Sequence, residues 1–141
     1  MIYKETPTDF KERYKVVSCF VELTGKILLL HRQDHKPHGN LWGVPAGKVD
    51  RGEDLKTALV REVKQETGLQ VVSPNFVGKV YVRYPDYDFT YFIYYVQLKK
   101  QVNVIINPIE HKDYKWISPK DALSMPLIQD LDECIKLFYQ L

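Results

Sequence analysis

The chain has 141 residues, a length that fits one domain and can bury a core without disulfide or metal staples. Hydrophobic residues make up 45% and charged residues 27%, which excludes a disordered chain, and no apolar run approaches the roughly 20 residues of a membrane-spanning helix. The formal net charge of +2 is too small to argue for a nucleic-acid or membrane surface through a global field, so an anionic partner must be met by local side chains.

Met1–Lys15 is polar and charged with no apolar leader core, so a cytoplasmic location is the default expectation. Residues 14–23 are rich in β-formers and predict a strand. Thr24-Gly25 signals a turn, and residues 26–31 predict a second strand, making a hairpin. From Arg32 to Trp42 the composition turns to His, Pro, Gly and Asn, a loop long enough to be functional, and 43–47 is a tight Gly/Pro-punctuated connection. A helix is predicted over 53–67, free of Gly and Pro and stopped by Gly68. Strands follow over 71–83 and 89–98, joined by a turn at 84–88, and a short one at 114–117. Ser118-Pro119 opens a helix, with Ser as N-cap and Pro at the first helical position. A last amphipathic helix covers 131–141. Cys19 and Cys134, both in apolar settings, read as buried free thiols. The irregular alternation of strands and helices predicts an α/β fold, a mixed sheet with helices on its faces.

The 53–67 helix carries an anomaly. At about 100° per residue, Leu55, Ala58, Leu59 and Val63 share one side, and Glu62 and Glu66 fall within roughly 20° of Leu55 on the same stripe. Two carboxylates four residues apart repel each other, and burying them unpaired is costly. Arginine partners, protonation, a bound cation or a roll of the helix end toward solvent would each relieve this. A hard divalent cation with oxygen ligands answers both burial and repulsion.

Gly47, Glu53, Arg61-Glu62-Val63, Gln65-Glu66 and Gly68-Leu69 are spaced as G-x5-E-x7-R-E-U-x-E-E-x-G-U, where U is aliphatic. This resembles the signature box of the Nudix hydrolases, with one departure: Gln65 stands where the family usually has Glu. The approach Leu41-Trp42-Gly43-Val44-Pro45-Ala46-Gly47, the strand ending in His31-Arg32 and the late Glu110-His111 with Trp116 are also similar to family elements. The resemblance implies an α/β/α sandwich that hydrolyses a phosphoanhydride bond in a nucleoside diphosphate linked to another moiety, using Mg²⁺ or Mn²⁺. It implies Glu62 and Glu66 as metal ligands, with the Ala46 carbonyl and Gln65 as further candidates. Arg61 and Glu53 would pair and fix the loop against the helix, and Glu110 would orient or deprotonate the attacking water. Arg32, Trp42, Ala46, Gly47 and Tyr87 are the candidates for substrate contact. Nucleoside triphosphates, nucleotide sugars, ADP-ribose and dinucleotides all remain open as substrates, and the chain is expected to be a monomer or homodimer. The rival class is a nucleotide-binding sensor on the same fold that does not cut, an alternative that Gln65 keeps open.

Overall fold

The computed structural model describes Met1–Leu141. Its strands are β1 (Ile2–Tyr3), β2 (Glu12–Leu23), β3 (Lys26–Arg32), β4 (Trp42–Gly43), β5 (Ala46–Lys48), β6 (Asn75–Arg83), β7 (Asp88–Leu98) and β8 (His111–Ile117). Its helices are α1 (Leu55–Thr67), α2 (Pro119–Ala122) and α3 (Leu131–Tyr139). One long parallel pair sets the frame: β2 runs beside β7 in register from Tyr14↔Phe89 to Leu23↔Leu98. β6 extends this sheet beyond β7, and β1 extends it beyond β6, both antiparallel. On the other side β2 parts company with β3 after two register pairs at the hairpin, and its Val16–Ser18 stretch pairs instead with β5. β3 continues away to pair with β8 and β4. β5 thus takes the place beside β2 that β3 leaves, and α1 packs against β5 and β2.

Strand alternation sorts the core into two layers. Val17, Cys19 and Val21 of β2, Leu28 and Leu30 of β3 and Phe92, Tyr94 and Val96 of β7 face Ala58, Leu59 and Val63 of α1. Phe20, Ile27, Leu29 and Ile93 face the opposite way, onto Leu131, Cys134 and Ile135 of α3 and Ala122 of α2. A mixed sheet between helices is thus the observed architecture, as expected. Because β2 and β7 are covered on both faces, their sequences run apolar for several residues rather than alternating. Cys19 and Cys134 are both buried and free, each against a different helix layer, and burial pushes each thiol up to about 12.

Several boundaries move. The strand expected from Val71 begins only at Asn75, because Ser73 takes a left-handed φ of 50° and Pro74 has no N–H to give to a ladder. Val71 is buried instead in the α1-side core. The 43–47 stretch, expected as a loop, supplies parts of β4 and β5, whose strand character comes from pairing with β3 and β2 and not from local propensity. β8 starts at His111 and not Tyr114, and β2 starts at Glu12. α3 ends at Tyr139, where Gln140 turns left-handed and its N–H meets the Lys136 carbonyl. No helix is long and apolar enough to cross a membrane.

Candidate active site

α1 begins at Asp54, whose side chain accepts from the Thr57 N–H at 2.7 Å, so the helix proper starts two residues later than Glu53. It stops at Gly68, left-handed at φ 75°, whose N–H reaches the Lys64 carbonyl at 2.9 Å. Between these caps Ala58, Leu59 and Val63 are fully buried, and each large one contributes about 1.5–3 kcal/mol by leaving water. That apolar docking fixes the helix roll, and the roll carries Glu66 inward to 6% exposure.

Arg61 ties the helix to the loop before it. Its Nε and Nη2 donate to the two carboxylate oxygens of Glu53 at 2.8 Å each, a fork-on-carboxylate pair. The same guanidinium donates to Glu62 Oε1 at 2.8 Å, to the Lys48 carbonyl at 3.2 Å and to Gln65 Oε1 at 3.3 Å. Arg61 holds the Glu53 carboxyl down to about 2, helped by the Asp50 N–H, and is itself pushed above its ordinary value by Glu53. One planar cation therefore locks the β5–α1 loop, Glu62 and the exposed Gln65 side chain into one arrangement.

Glu66 has a different environment. Its Oε1 accepts from the Ala46 N–H at 3.0 Å, and it forms no ion pair. Burial raises this carboxyl well above 4.5; Glu62 and Glu110 raise it further, against the Ala46 amide and the Arg32 charge. Glu62 is also raised, by burial first and by Glu110, with Arg61 opposing. Gly47 lies directly against Glu62: a Cβ there would sit 2.1 Å from the carboxyl carbon and 2.3 Å from Oε2. Ala46, Gly47, Glu62 and Glu66 thus form one compact oxygen-rich corner. Glu62 and Glu66 are the acidic side chains that adjoin Gly47 and Ala46 directly, and Glu110 is near enough to raise both.

The rim is built by the loop after β3 and the turn before β8. Arg32 stands opposite His111 across the β3–β8 ladder, so both side chains lie on one face, and its Nε donates to the Pro37 carbonyl at 2.7 Å. Glu110 is part-exposed, with Lys36 Nζ 3.9 Å away and its carbonyl accepting from the Gln33 N–H. Lys112 clamps the loop by bonding Asp34 at 2.6 Å and also Asn40. His111 is buried, its Nδ1 has no partner, and burial with the nearby Arg32 lowers it to about 4. Trp42 stands apart from the acidic corner: it is 9% exposed, packed in the α3-side core and stacked on His31 at 4.3 Å. Tyr87 sits at the tip of the β6–β7 hairpin, in an aromatic cluster with Tyr14, Tyr84 and Phe89.

On the other side of Ala46 lies a cavity of about 100 Å³, largely apolar, walled by Val44, Tyr84, Phe89, Ile128 and Leu131 with Asp130 among its lining groups. The Asp130 carboxylate meets the backbone nitrogen of Met1 at 2.9 Å and makes no cap bond to α3. Sequence reading missed this cavity. Its only local signal was an Asp immediately before a helix, which reads as an ordinary N-cap.

A profile of the NUDIX domain matches residues 12–138. The CTP pyrophosphohydrolase of Escherichia coli is 29% identical over 113 residues, covering 80% of this chain and 82% of that protein. An RNA pyrophosphohydrolase of Campylobacter jejuni subsp. doylei is 31% identical over 123 residues, covering 78% and 77%. The crystal structure of a MutT protein from Methanosarcina mazei Go1 superposes with a TM-score of 0.82 at 26% identity, over 92% of this chain and 95% of that one. The chain belongs to the Nudix hydrolases, and the acidic corner of α1 and β5 lies within the matched residues.

Proposed function

We propose that the chain hydrolyses a phosphoanhydride bond of a nucleoside 5′-triphosphate, with a divalent cation held by Glu62, Glu66 and the Ala46 carbonyl. The observation that carries this reading is the Glu66 carboxyl, 6% exposed, with one backbone amide as partner and a second carboxylate beside it. Such a group is costly to bury unless a ligand neutralises it. Mg²⁺ suits the corner, because it is bound by one or two carboxylates together with waters and substrate phosphates and needs no all-protein cage. Mn²⁺ takes the same oxygen donors. When bound, the cation supplies neutralisation of phosphoryl charge and a lowered water pKa.

The chain's own residues do the rest. Water adds to a phosphorus, the bridging P–O bond breaks, and the leaving phosphate departs with the bridging oxygen. A carboxylate within reach takes the water's proton, and Glu110, part-exposed on the rim, is the side chain proposed for that step. Arg61 and Glu53 hold the loop that presents Ala46 and Gly47, and Gln65 leaves this donor set one charge poorer. Arg32 meets a phosphate oxygen once its guanidinium leaves the Pro37 carbonyl. The cavity behind Ala46 takes the base, which favours a nucleotide held by its base over one held by a sugar. The names of the two relatives, a CTP pyrophosphohydrolase and an RNA pyrophosphohydrolase, support a nucleoside triphosphate end. Trp42 supports the loop from within the core rather than touching substrate.

The test is a panel of nucleoside triphosphates, ADP-ribose, nucleotide sugars and dinucleoside polyphosphates, with Mg²⁺ and Mn²⁺ tried separately and Glu66→Ala alongside. Metal-dependent cleavage of a triphosphate, lost in the variant, is the expected outcome. Bound but uncut nucleotide throughout would replace the hydrolase with a sensor.

A further inference from the structure

His111 is 3% exposed, and among the buried side-chain nitrogens and oxygens its Nδ1 alone meets no partner. An unsatisfied buried acceptor or donor is costly, and a fold that keeps one calls for a reason. The main chain beside the ring is fixed. The His111 N–H donates to the Asn107 carbonyl at 2.9 Å, and the Glu110 carbonyl accepts from the Gln33 N–H at 2.9 Å. The ring is therefore held still, and a partner has to come to it. Because Nδ1 is shut away from the surface, that partner is a group of the chain and not an atom of the substrate.

Arg32 is the group in place. It stands opposite His111 across the β3–β8 ladder. Its N–H donates to the Leu41 carbonyl at 3.0 Å and its carbonyl accepts from the Asn40 N–H at 3.2 Å, so its freedom lies in the side chain. That side chain is half-buried and spends Nε on the Pro37 carbonyl at 2.7 Å, while both Nη groups are uncommitted. The Arg32 charge is felt at His111, at His38 and at the buried Glu66, and lowers all three. The guanidinium is thus near both the histidine and the acidic corner.

We propose that His111 is the positioning residue for Arg32: when a substrate phosphate draws the guanidinium off the Pro37 carbonyl, one Arg32 N–H donates to His111 Nδ1, which holds the remaining N–H groups toward the phosphate. This rests on the hydrolase reading above, in which Arg32 meets that phosphate. The exchange replaces one acceptor by another, so the guanidinium moves without forfeiting a hydrogen bond. A neutral imidazole with its hydrogen on Nε2 offers a lone pair at Nδ1. Burial, and then the Arg32 charge, lowers His111 to about 4, which keeps the ring neutral at pH 7. A protonated ring would repel the group it has to hold.

The experiment measures KM and kcat for a nucleoside 5′-triphosphate in Mg²⁺ with wild type, His111→Phe, His111→Asn, Arg32→Ala and the His111→Phe/Arg32→Ala double variant, each with a thermal melt. His111→Phe keeps a ring and removes the acceptor. It should melt no lower than wild type, since an unpartnered buried nitrogen is gone, and yet raise KM about tenfold with kcat little changed, the scale of one hydrogen bond to a charged group. His111→Asn returns an oxygen acceptor near Nδ1 and should recover most of that loss. The double variant should be no worse than Arg32→Ala, because the acceptor has no role without its donor. In isotope-labelled protein, the His111 Nδ1 resonance should shift when a non-hydrolysable methylene analogue of the triphosphate saturates the site, and should stay still in Arg32→Ala. A wild-type KM in His111→Phe, penalties that add in the double variant, or a resonance that moves without Arg32 overturns the proposal and leaves the hydrolase reading intact. The resonance needs no substitution at His111, so it decides the matter even if His111→Phe does not fold. If no triphosphate is cut, the hydrolase reading fails, and the same variants are compared by the Kd of the uncut nucleotide; equal Kd values for wild type and His111→Phe then overturn the positioning role as well.

Discussion

Gly47 and Glu62 are fitted to each other so closely that a single added methyl group on the loop would occupy the space of the carboxyl carbon, 2.1 Å away. The main chain here is extended and paired with Val17, so nothing in the local backbone conformation demands glycine; the demand comes from the neighbouring acid. Gly47→Ala is therefore expected to fold, push Glu62 off its Arg61-bound position and cut kcat about 100-fold, the usual effect of an ångström-scale misplacement. Steady-state kinetics beside a thermal melt will check it. A near-native kcat would show that Glu62 does not need this position.

Metal-free protein should lose stability as the pH rises. Glu66 is raised well above its ordinary 4.5 in the fold, so above that pH the folded chain binds more protons than the unfolded one. Its stabilising contribution is complete below about pH 4.5 and is lost as the pH climbs through the folded value. Melts of chelator-treated protein from about pH 5 to about pH 8 should slope downward, Glu66→Gln should flatten the slope, and Mg²⁺ should restore the wild type most at the alkaline end. A flat wild-type profile would count against a neutral, buried Glu66.

Gln65→Glu adds the missing charge beside the two box carboxylates. Half-maximal activity should then need less Mg²⁺ than in the wild type, because a further anionic ligand strengthens a hard-cation site. The Gln65 side chain already reaches the Arg61 guanidinium, which could accept a carboxylate there as well. An unchanged metal titration would mean that the new charge is spent on Arg61 alone.

Arg61→Lys keeps the charge and loses the fork. A lysine has no planar pair of donors to hold both Glu53 oxygens while also reaching Glu62. We expect about a 10–100-fold loss of activity or metal affinity, the range seen when a ligand-orienting group is replaced, with little change in melting temperature. Activity within twofold of wild type would assign Arg61 a purely surface role.

In the core, Leu59→Ala empties a fully buried site between α1 and the sheet. The expected cost is about 2–5 kcal/mol, read from urea unfolding. A loss below about 1 kcal/mol would mean that the helix settles without strain onto the smaller side chain.

The sequence was most legible where local rules and tertiary structure agree. The 53–67 stretch declared a helix, its stop and its misplaced acids, and the structure caps it at Gly68 and buries Glu66. β4 and β5 were illegible because Gly and Pro spacing hides strands that exist only by pairing with β3 and β2. The parallel match of β2 with β7 joins residues more than seventy positions apart, and no local pattern encodes that register. The cavity behind Ala46 was hidden for the same reason, as Val44, Tyr84, Ile128 and Leu131 meet only once the sheet has formed.

Ala46 through Glu66 supply the acidic corner in one unbroken run of chain, whereas the cavity walls and the aromatic cluster are drawn from the β6–β7 tip, the start of β2 and the approach to α3. The acidic corner and most of the cavity wall therefore come from different stretches of the chain and meet at Ala46. Substitutions at Ile128 or Asp130 reshape that wall from a part of the chain remote in sequence from Glu62 and Glu66.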